Sequence, residues 1–164
     1  MDDLKVRDVM THLVVTLRPS DGVPLAAKRL VSNRISGAPV VEGGRLVGVV
    51  SEGDLVRAYA PAARRGAPFI APRPLIFLLM KGSPRSEVNG ITVGDVMTKD
   101  VVSIGPEKSV WEAASLIDRR SVRRLPVVDV DGHVIGVLTR SDLVRSMAHT
   151  IEHAHRVTDS LSPA

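Results

Sequence analysis

Two stretches of the chain each place a hydroxyl residue three positions before an aspartate. Residues 48–54 read GVVSEGD and residues 136–142 read GVLTRSD. In both, an apolar run predicts a strand, and the polar residues after it predict the start of a helix. A hydroxyl and a carboxylate at this spacing can cap the helix reciprocally. They can equally hold a ligand, because helix N-termini attract phosphate and a carboxylate accepts hydrogen bonds from both hydroxyls of a ribose.

The elements that position these motifs form an internal repeat. When Val6 is aligned with Val93, 21 of 52 pairs are identical over residues 6–42 and 46–60, which is well beyond chance. The pattern of each copy predicts a short segment ending at Met10 or Met97, followed by a strand, a helix and a hairpin. A last helix is predicted to start near Ser51 or Thr139. The predicted bounds are strands at Val14–Leu17 and Val101–Ile104, helices at Val23–Asn33 and Val110–Arg120, a capping box at Ser109 and Glu112, hairpin strands at Leu125–Val128 and Val134–Leu138 in the second copy, and hairpin turns at Glu42–Arg45 and Asp131–Gly132.

The repeat sets the expected domain organisation. We predict a first repeat at 1–60, a linker at 61–92, a second repeat at 93–148 and a tail at 149–164. One copy of about 55 residues buries little surface alone. We therefore expect an α+β fold of two β-α-β-β-α units related by a pseudo-two-fold axis, with the sheets packed together and the helices outside. The linker is rich in Pro, Gly, Ala and Arg; its apolar centre, LIFLLM, is expected to pack on this chain or a second subunit, with a ligand gate as the alternative.

Composition excludes several classes of site. The 164 residues contain no Cys and 2% aromatics, so disulfides, thiolate metal sites, Cys catalysis and aromatic cages are excluded. The net charge of +4 favours anionic partners. The N-terminus lacks the pattern of a signal peptide and Leu75–Met80 is too short to span a bilayer, so a cytoplasmic protein with no membrane partner is predicted.

The tandem motifs resemble a known family. DVMT…VVTLRP…SGAPVVEGGRLVGVVSEGDLVR and DVMT…VVSIGP…VRRLPVVDVDGHVIGVLTRSDLVR are similar to a pair of CBS domains, together called a Bateman module. The resemblance implies two clefts between the repeats that hold AMP, ADP, ATP, NAD or S-adenosylmethionine. It also implies a homodimer and a regulatory sensor that signals to an effector protein, rather than an enzyme.

The same resemblance implies roles for particular residues. Aspartates bind the ribose hydroxyls and the paired hydroxyl residues contact ribose or phosphate, while apolar strand residues line the adenine slots. The first set is Val14, Val15, Ala38, Pro39, Ser51 and Asp54; the second set is Val101, Val102, Leu125, Pro126, Thr139 and Asp142.

The two copies differ in charge where a phosphate would lie. The second copy has Arg140 beside Thr139, and Arg123 and Arg124 before LPVV. The matching residues of the first copy are Glu52, Ser36 and Gly37. Because guanidinium groups pair with phosphate and a carboxylate repels it, the second copy is predicted to be the better phosphate site.

Alternatives remain open from the residues alone. The chain can be a structural dimerisation module without a small ligand, or it can bind nucleic acid through the Arg-rich linker. A catalytic role is disfavoured, because the sequence shows no Gly-rich phosphate loop, nucleophile elbow or acid pair at catalytic spacing. His149, His153 and His155 are interpreted as an exposed helix end rather than a metal site, and Trp111 as packing.

Overall fold

The computed structural model describes residues 4–59 and 90–148. The centre of the predicted linker and the three histidines of the tail lie outside the described residues. In chain order the elements are α1 (Val6–Val9), α2 (Val23–Ser32), β1 (Gly37–Glu42), β2 (Arg45–Ser51), α3 (Glu52–Tyr59), α4 (Val93–Val96), α5 (Val110–Arg119), β3 (Arg124–Val128), β4 (Val134–Thr139) and α6 (140–148). The predicted mixed fold with two small sheets is confirmed.

Two antiparallel hairpins form the sheets. β1 pairs with β2 and β3 pairs with β4, and each pair carries one irregularity near its turn. Gly43, Gly44 and Gly132 have φ values of 57°, 82° and 83°, the left-handed conformation that tight hairpin turns require and that glycine adopts without strain. The predicted turns and hairpin bounds are therefore confirmed to within one residue.

The helices that precede the hairpins also follow the prediction. α2 and α5 begin at Val23 and Val110 and end one residue before the predicted bound. The capping box of α5 is present, because Ser109 Oγ accepts from the Glu112 amide at 3.1 Å and Glu112 Oε2 accepts from the Ser109 amide at 2.9 Å. Both helices terminate with a residue in the left-handed conformation, Arg34 and Ser121, in place of the usual glycine.

The predicted strands at Val14–Leu17 and Val101–Ile104 are wrong as regular strands. Within the described residues each makes a single parallel bridge, Leu17 to Val40 and Ile104 to Val127. The Leu17 amide donates to the Pro39 carbonyl at 3.0 Å, and the chain then turns at Arg18–Asp21, where Arg18 and Asp21 bond to each other. A β-branched run favours extended backbone, but a strand needs a neighbour over its whole length.

The chain divides into two compact units that do not coincide with the two repeats. One, the first-hairpin unit, is Val15–Val101; the other, the second-hairpin unit, is Met1–Val14 with Val102–Ala164. Thr11 exchanges two backbone hydrogen bonds with Val137, at 2.9 and 3.0 Å. Thr98 does the same with Val49, at 3.0 and 2.9 Å. Each hairpin is thus joined by the opening segment of the other repeat.

Each opening segment also carries a methionine that packs on a glycine of the hairpin it joins. A Cβ at Gly136 would overlap the Met10 side chain, and a Cβ at Gly48 would overlap Met97. The cores of the two units follow the same exchange, since Val6 and Met10 belong to the core of the second-hairpin unit and Val93 to that of the first-hairpin unit. The repeated DVM and GV motifs therefore contact each other in each unit, with the methionine of one motif packed on the glycine of the other.

Candidate functional site

The motif of the first-hairpin unit forms a reciprocal cap at the start of α3. Asp54 Oδ2 accepts hydrogen bonds from the Ser51 amide at 2.7 Å and the Ser51 hydroxyl at 2.6 Å. The Asp54 amide lies 3.4 Å from Ser51 Oγ, and Asp54 is only 8% exposed. This nearly buried carboxylate accepts from one of the backbone amides that a helix start leaves without an intrahelical partner.

The motif of the second-hairpin unit repeats this geometry at the start of α6. Asp142 Oδ2 accepts from the Thr139 amide at 2.8 Å and the Thr139 hydroxyl at 2.6 Å. The Asp142 amide lies 3.3 Å from Thr139 Oγ1, and Asp142 is 8% exposed. The capping interpretation of the repeated motif is thereby confirmed in both copies, so each carboxylate has a structural role of its own.

Backbone pairing places the apolar strand residues beside each helix start. In the first-hairpin unit Gly37 is the register partner of Ser51, and the Glu52 amide donates to the Ser36 carbonyl at 3.0 Å. Ala38 and Pro39 follow on β1 and are buried. Val15 is half-buried on the extended segment that reaches β1 at Leu17.

The second-hairpin unit has the equivalent arrangement. Arg124 is the register partner of Thr139, and the Arg140 amide lies 3.3 Å from the Arg123 carbonyl. Leu125 and Pro126 are buried on β3, and the Pro126 carbonyl accepts from the Ile104 amide at 3.1 Å, two residues beyond the half-buried Val102. The predicted site residues of each copy are thus largely brought together within one unit.

Two of the predicted slot residues do not join their own copy. Val14 belongs to the second-hairpin unit and Val101 to the first-hairpin unit. Both are half-buried. The boundary between the units falls inside each predicted strand because the chain leaves one sheet at Thr11 or Thr98 and joins the other at Leu17 or Ile104.

The charged residues expected near a phosphate flank the two helix starts and differ in exposure. Arg140 and Arg123 are exposed, and Arg140 Nε donates to the Val122 carbonyl at 3.2 Å, which fixes the side chain against the start of β3. Arg124 is half-buried. Glu52, which takes the place of Arg140 in the first-hairpin unit, is half-buried directly after Ser51.

Sequence reasoning missed one pair of residues at these sites. Arg57 Nη2 donates to Asp54 Oδ1, and Arg145 Nη1 lies 3.6 Å from Asp142 Oδ1. The signal was present in the sequence, since the arginine follows the aspartate by three residues in both copies, as GDLVR and SDLVR. One helical turn brings positions i and i+3 together.

A second group of polar side chains occupies the β3–β4 turn. Asp129 Oδ1 accepts from the amides of Asp131 and His133 at 3.0 and 2.8 Å. These bonds, the His133 amide first, lower the pKa of the Asp129 carboxyl below its ordinary value of 3.8. Asp129, Asp131 and His133 offer ligand atoms within 4.8 Å of one another, but the bonds identify a turn rather than a cation site.

Comparison with known proteins identifies the family. The model of the CBS domain matches residues 6–61 and 93–149. The chain belongs to the CBS domain family. The resemblance carried by the DVMT and GVVSEGD-type motifs is confirmed, and the chain is a tandem CBS-domain pair.

Relatives of this CBS-domain pair differ in length. It is 33% identical over 153 residues to the uncharacterized protein MJ1426 of Methanocaldococcus jannaschii, covering 87% of this chain and 90% of that one. It is 30% identical to inosine-5'-monophosphate dehydrogenase of Korarchaeum cryptofilum, covering 92% of this chain but 27% of the dehydrogenase. A CBS pair of this kind therefore occurs both over nearly a whole relative and as a minor part of an enzyme.

Solved structures agree with this assignment. CBSX2 from Arabidopsis thaliana superposes with a TM-score of 0.73 at 31% identity, covering 91% of this chain and 97% of that one. CBSX2 in complex with AMP gives a TM-score of 0.68 at 33% identity, covering 90% and 98%. None of the helices within residues 4–59 and 90–148 combines the length and the hydropathy of a membrane-spanning segment.

Proposed function

We propose that this CBS-domain pair is a regulatory protein that binds adenine nucleotides at its two helix starts and passes ligand state to a partner, without catalysing a reaction. The observation that carries this proposal is an arrangement that occurs in both copies. A hydroxyl bonds to a nearly buried aspartate, and the hydroxyl residue pairs through its backbone with a strand of buried apolar residues. A carboxylate can accept from both hydroxyls of a ribose, and CBSX2, 33% identical over 90% of this chain, binds AMP.

Charge supports a preference between the two helix starts. Arg140 and Arg123 are exposed beside Thr139, whereas Glu52 follows Ser51. Guanidinium groups form bidentate, charge-assisted bonds with phosphate. We therefore propose that the second-hairpin unit takes the phosphorylated ligand, such as AMP, ADP or ATP, and that the first-hairpin unit favours adenosine compounds without phosphate, such as S-adenosylmethionine.

The experiment that tests the proposal is calorimetric titration of the protein with AMP, ADP, ATP, NAD and S-adenosylmethionine, and with GMP as the matched control. We expect an adenosine phosphate to bind more tightly than the guanosine compound. Equal affinity for AMP and GMP, or no binding of any adenosine compound, would overturn it.

One observation favours a second candidate, a dimerisation module without a small ligand. Both aspartates are fully explained as helix caps, so the motif by itself does not require a ligand. Both candidates predict a homodimer with two-fold symmetry, which light scattering at micromolar concentration tests, and a monomer would contradict it. Titration separates the candidates, because the dimerisation module binds no nucleotide.

A further inference from the structure

Each capping aspartate has one oxygen that is occupied by the cap. Oδ2 of Asp54 accepts two hydrogen bonds, from the amide and hydroxyl of Ser51 at 2.7 and 2.6 Å. Oδ2 of Asp142 accepts two from Thr139 at 2.8 and 2.6 Å. Since a carboxylate oxygen has about two acceptor positions, a ribose bound to either aspartate must donate chiefly to Oδ1.

The two copies differ at this remaining oxygen. Arg57 donates a hydrogen bond to Oδ1 of Asp54. Arg145 faces Oδ1 of Asp142 from 3.6 Å, which is longer than a hydrogen bond. In the part of the chain that the structure describes, Oδ1 of Asp142 thus keeps more acceptor capacity than Oδ1 of Asp54.

We infer that Arg57 is a specificity-determining residue that competes with the ribose hydroxyls for Oδ1 of Asp54 and lowers the affinity of the first-hairpin unit for an adenosine ligand. The inference rests on the proposed function. The Arg57 side chain is 62% exposed while that of Asp54 is 10% exposed, so the guanidinium can turn to water but the carboxylate stays at the cap. Binding of a diol at Asp54 therefore releases Arg57, and the cost of breaking that ion pair is subtracted from the affinity.

The two copies are expected to differ in adenosine affinity through their ribose contacts alone. Adenosine carries no phosphate, so the charge difference between Glu52 and Arg140 contributes little to its binding. Asp142 presents an oxygen without a hydrogen-bonded guanidinium and is expected to bind the diol more tightly. This order of affinities is the same as the one that the charges near the phosphate predict. It arises from the ribose contacts instead, so it can be tested separately.

The test is calorimetric titration of adenosine and 2'-deoxyadenosine into Arg57→Gln, made in an Asp142→Asn background so that the first-hairpin unit dominates the signal. Exposed ion pairs contribute modestly, so adenosine affinity is expected to rise about two- to fivefold. The affinity for 2'-deoxyadenosine, which lacks one hydroxyl of the diol, is expected to rise less. Arg145→Gln in an Asp54→Asn background is expected to give a smaller gain than Arg57→Gln.

Lys28→Gln in the same Asp142→Asn background removes one positive charge from the exposed face of α2 and controls for net charge. Arg57→Lys keeps the charge without the planar fork and provides a second variant if Arg57→Gln does not fold. Weaker adenosine binding by Arg57→Gln, or an equal gain for both nucleosides, would overturn the inference while leaving the proposed function standing. Absence of adenosine and AMP binding by the unmodified chain would overturn both.

Discussion

At the residue scale, one carboxylate in each copy caps a helix and is also the group that we propose to bind the ribose, two roles that sequence reasoning treated as alternatives. Asp54 and Asp142 cap their helices through Oδ2, and their Oδ1 atoms face an arginine one turn later. A capped carboxylate is held in one orientation, which lowers the entropy that a ligand would otherwise have to remove. Capping and ribose binding are therefore compatible, and their separate energies can be measured.

Asp142→Ala is predicted to weaken AMP binding about 30-fold, because it removes a charged acceptor worth about 2 kcal/mol. Asp54→Ala is predicted to weaken it less, since Glu52 already repels phosphate there. Each substitution also removes a cap and is predicted to cost about 1 kcal/mol of stability. Titration with AMP beside thermal melting measures both effects.

Thr139→Ser is the matched control for this pair, because it keeps the hydroxyl that bonds to Asp142. It is predicted to change neither AMP affinity nor melting temperature appreciably. If both alanine variants melt lower yet bind AMP like the unmodified chain, the motif is a helix start only and the ligand assignment is wrong.

At the element scale, helix starts and hairpin glycines determine where the side chains of each site lie. Ser109 caps the start of α5 with a complete capping box. Gly48 and Gly136 leave room for the methionines that follow α4 and α1, so these segments pack on the hairpins. The capping box follows from local sequence, whereas the methionine that meets each glycine is decided by the tertiary structure. The two features differ in their contribution to the free energy of unfolding, because the cap lies at the surface in contact with water and the glycine contact lies in the closely packed core.

Glu112→Gln is predicted to lower the melting temperature near neutral pH and to have less effect in acid. The Ser109 amide, followed by the Lys108 side chain, lowers the pKa of the Glu112 carboxyl below its ordinary value of 4.5. A lowered folded-state pKa gives stability that is present above the unfolded value and is lost as pH falls through the folded one. Melting curves between neutral pH and about pH 3 measure the change, and a difference that grows in acid would contradict it.

Gly136→Ala is predicted to destabilise the chain by about 1–3 kcal/mol, because its Cβ would overlap the buried Met10 side chain. Adding Met10→Ala should cost less in this background than in the parent chain, since it removes the overlap. Gly105→Ala is the matched control, because a Cβ there meets open space. Denaturant titration of the parent chain, the two single variants and the double variant gives the coupling energy, and strict additivity would show that Met10 is not the neighbour that matters.

At the scale of the whole molecule, the feature that organises each unit is the exchange of opening segments between the repeats. The amide and carbonyl of Thr11 bond to Val137 of the second copy, and those of Thr98 bond to Val49 of the first. Thr11 and Val137 are far apart in the sequence, so this contact is strongly non-local. Each copy therefore depends on the other for one segment of its sheet and for part of its core.

Thr11→Pro is predicted to speed amide hydrogen exchange in β4 while leaving β2 unchanged, and Thr98→Pro is predicted to do the reverse. Proline removes the donor to Val137 or Val49. The preceding Met10 and Met97 already have extended backbone, with ψ of 157° and 152°, as a residue before proline requires. Loss of one such bond is worth about 1 kcal/mol, or roughly a fivefold faster exchange by local opening. Faster exchange of β2 in Thr11→Pro would show that each repeat keeps its own opening segment.

The sequence alone determined the duplication, the order of helices and hairpins, the glycine turns and the positions of both helix starts. These features depend on residues close together in the chain, so spacing and side-chain type report them. It also located Ser51, Asp54, Thr139 and Asp142 correctly at the helix starts. The family could be inferred because two copies of a specific motif occur at matching positions.

Only the tertiary structure decided which opening segment joins which hairpin. Thr11 and Thr98 are identical residues in nearly identical contexts, and each could pair equally well with either hairpin on local grounds. The Val14–Leu17 run fails as a strand for the same reason, because pairing depends on where the neighbouring backbone runs rather than on β propensity. The difference between Arg57 and Arg145 lies in side-chain conformation, which spacing does not report, since the same i,i+3 spacing gives a hydrogen bond in one copy and a 3.6 Å separation in the other.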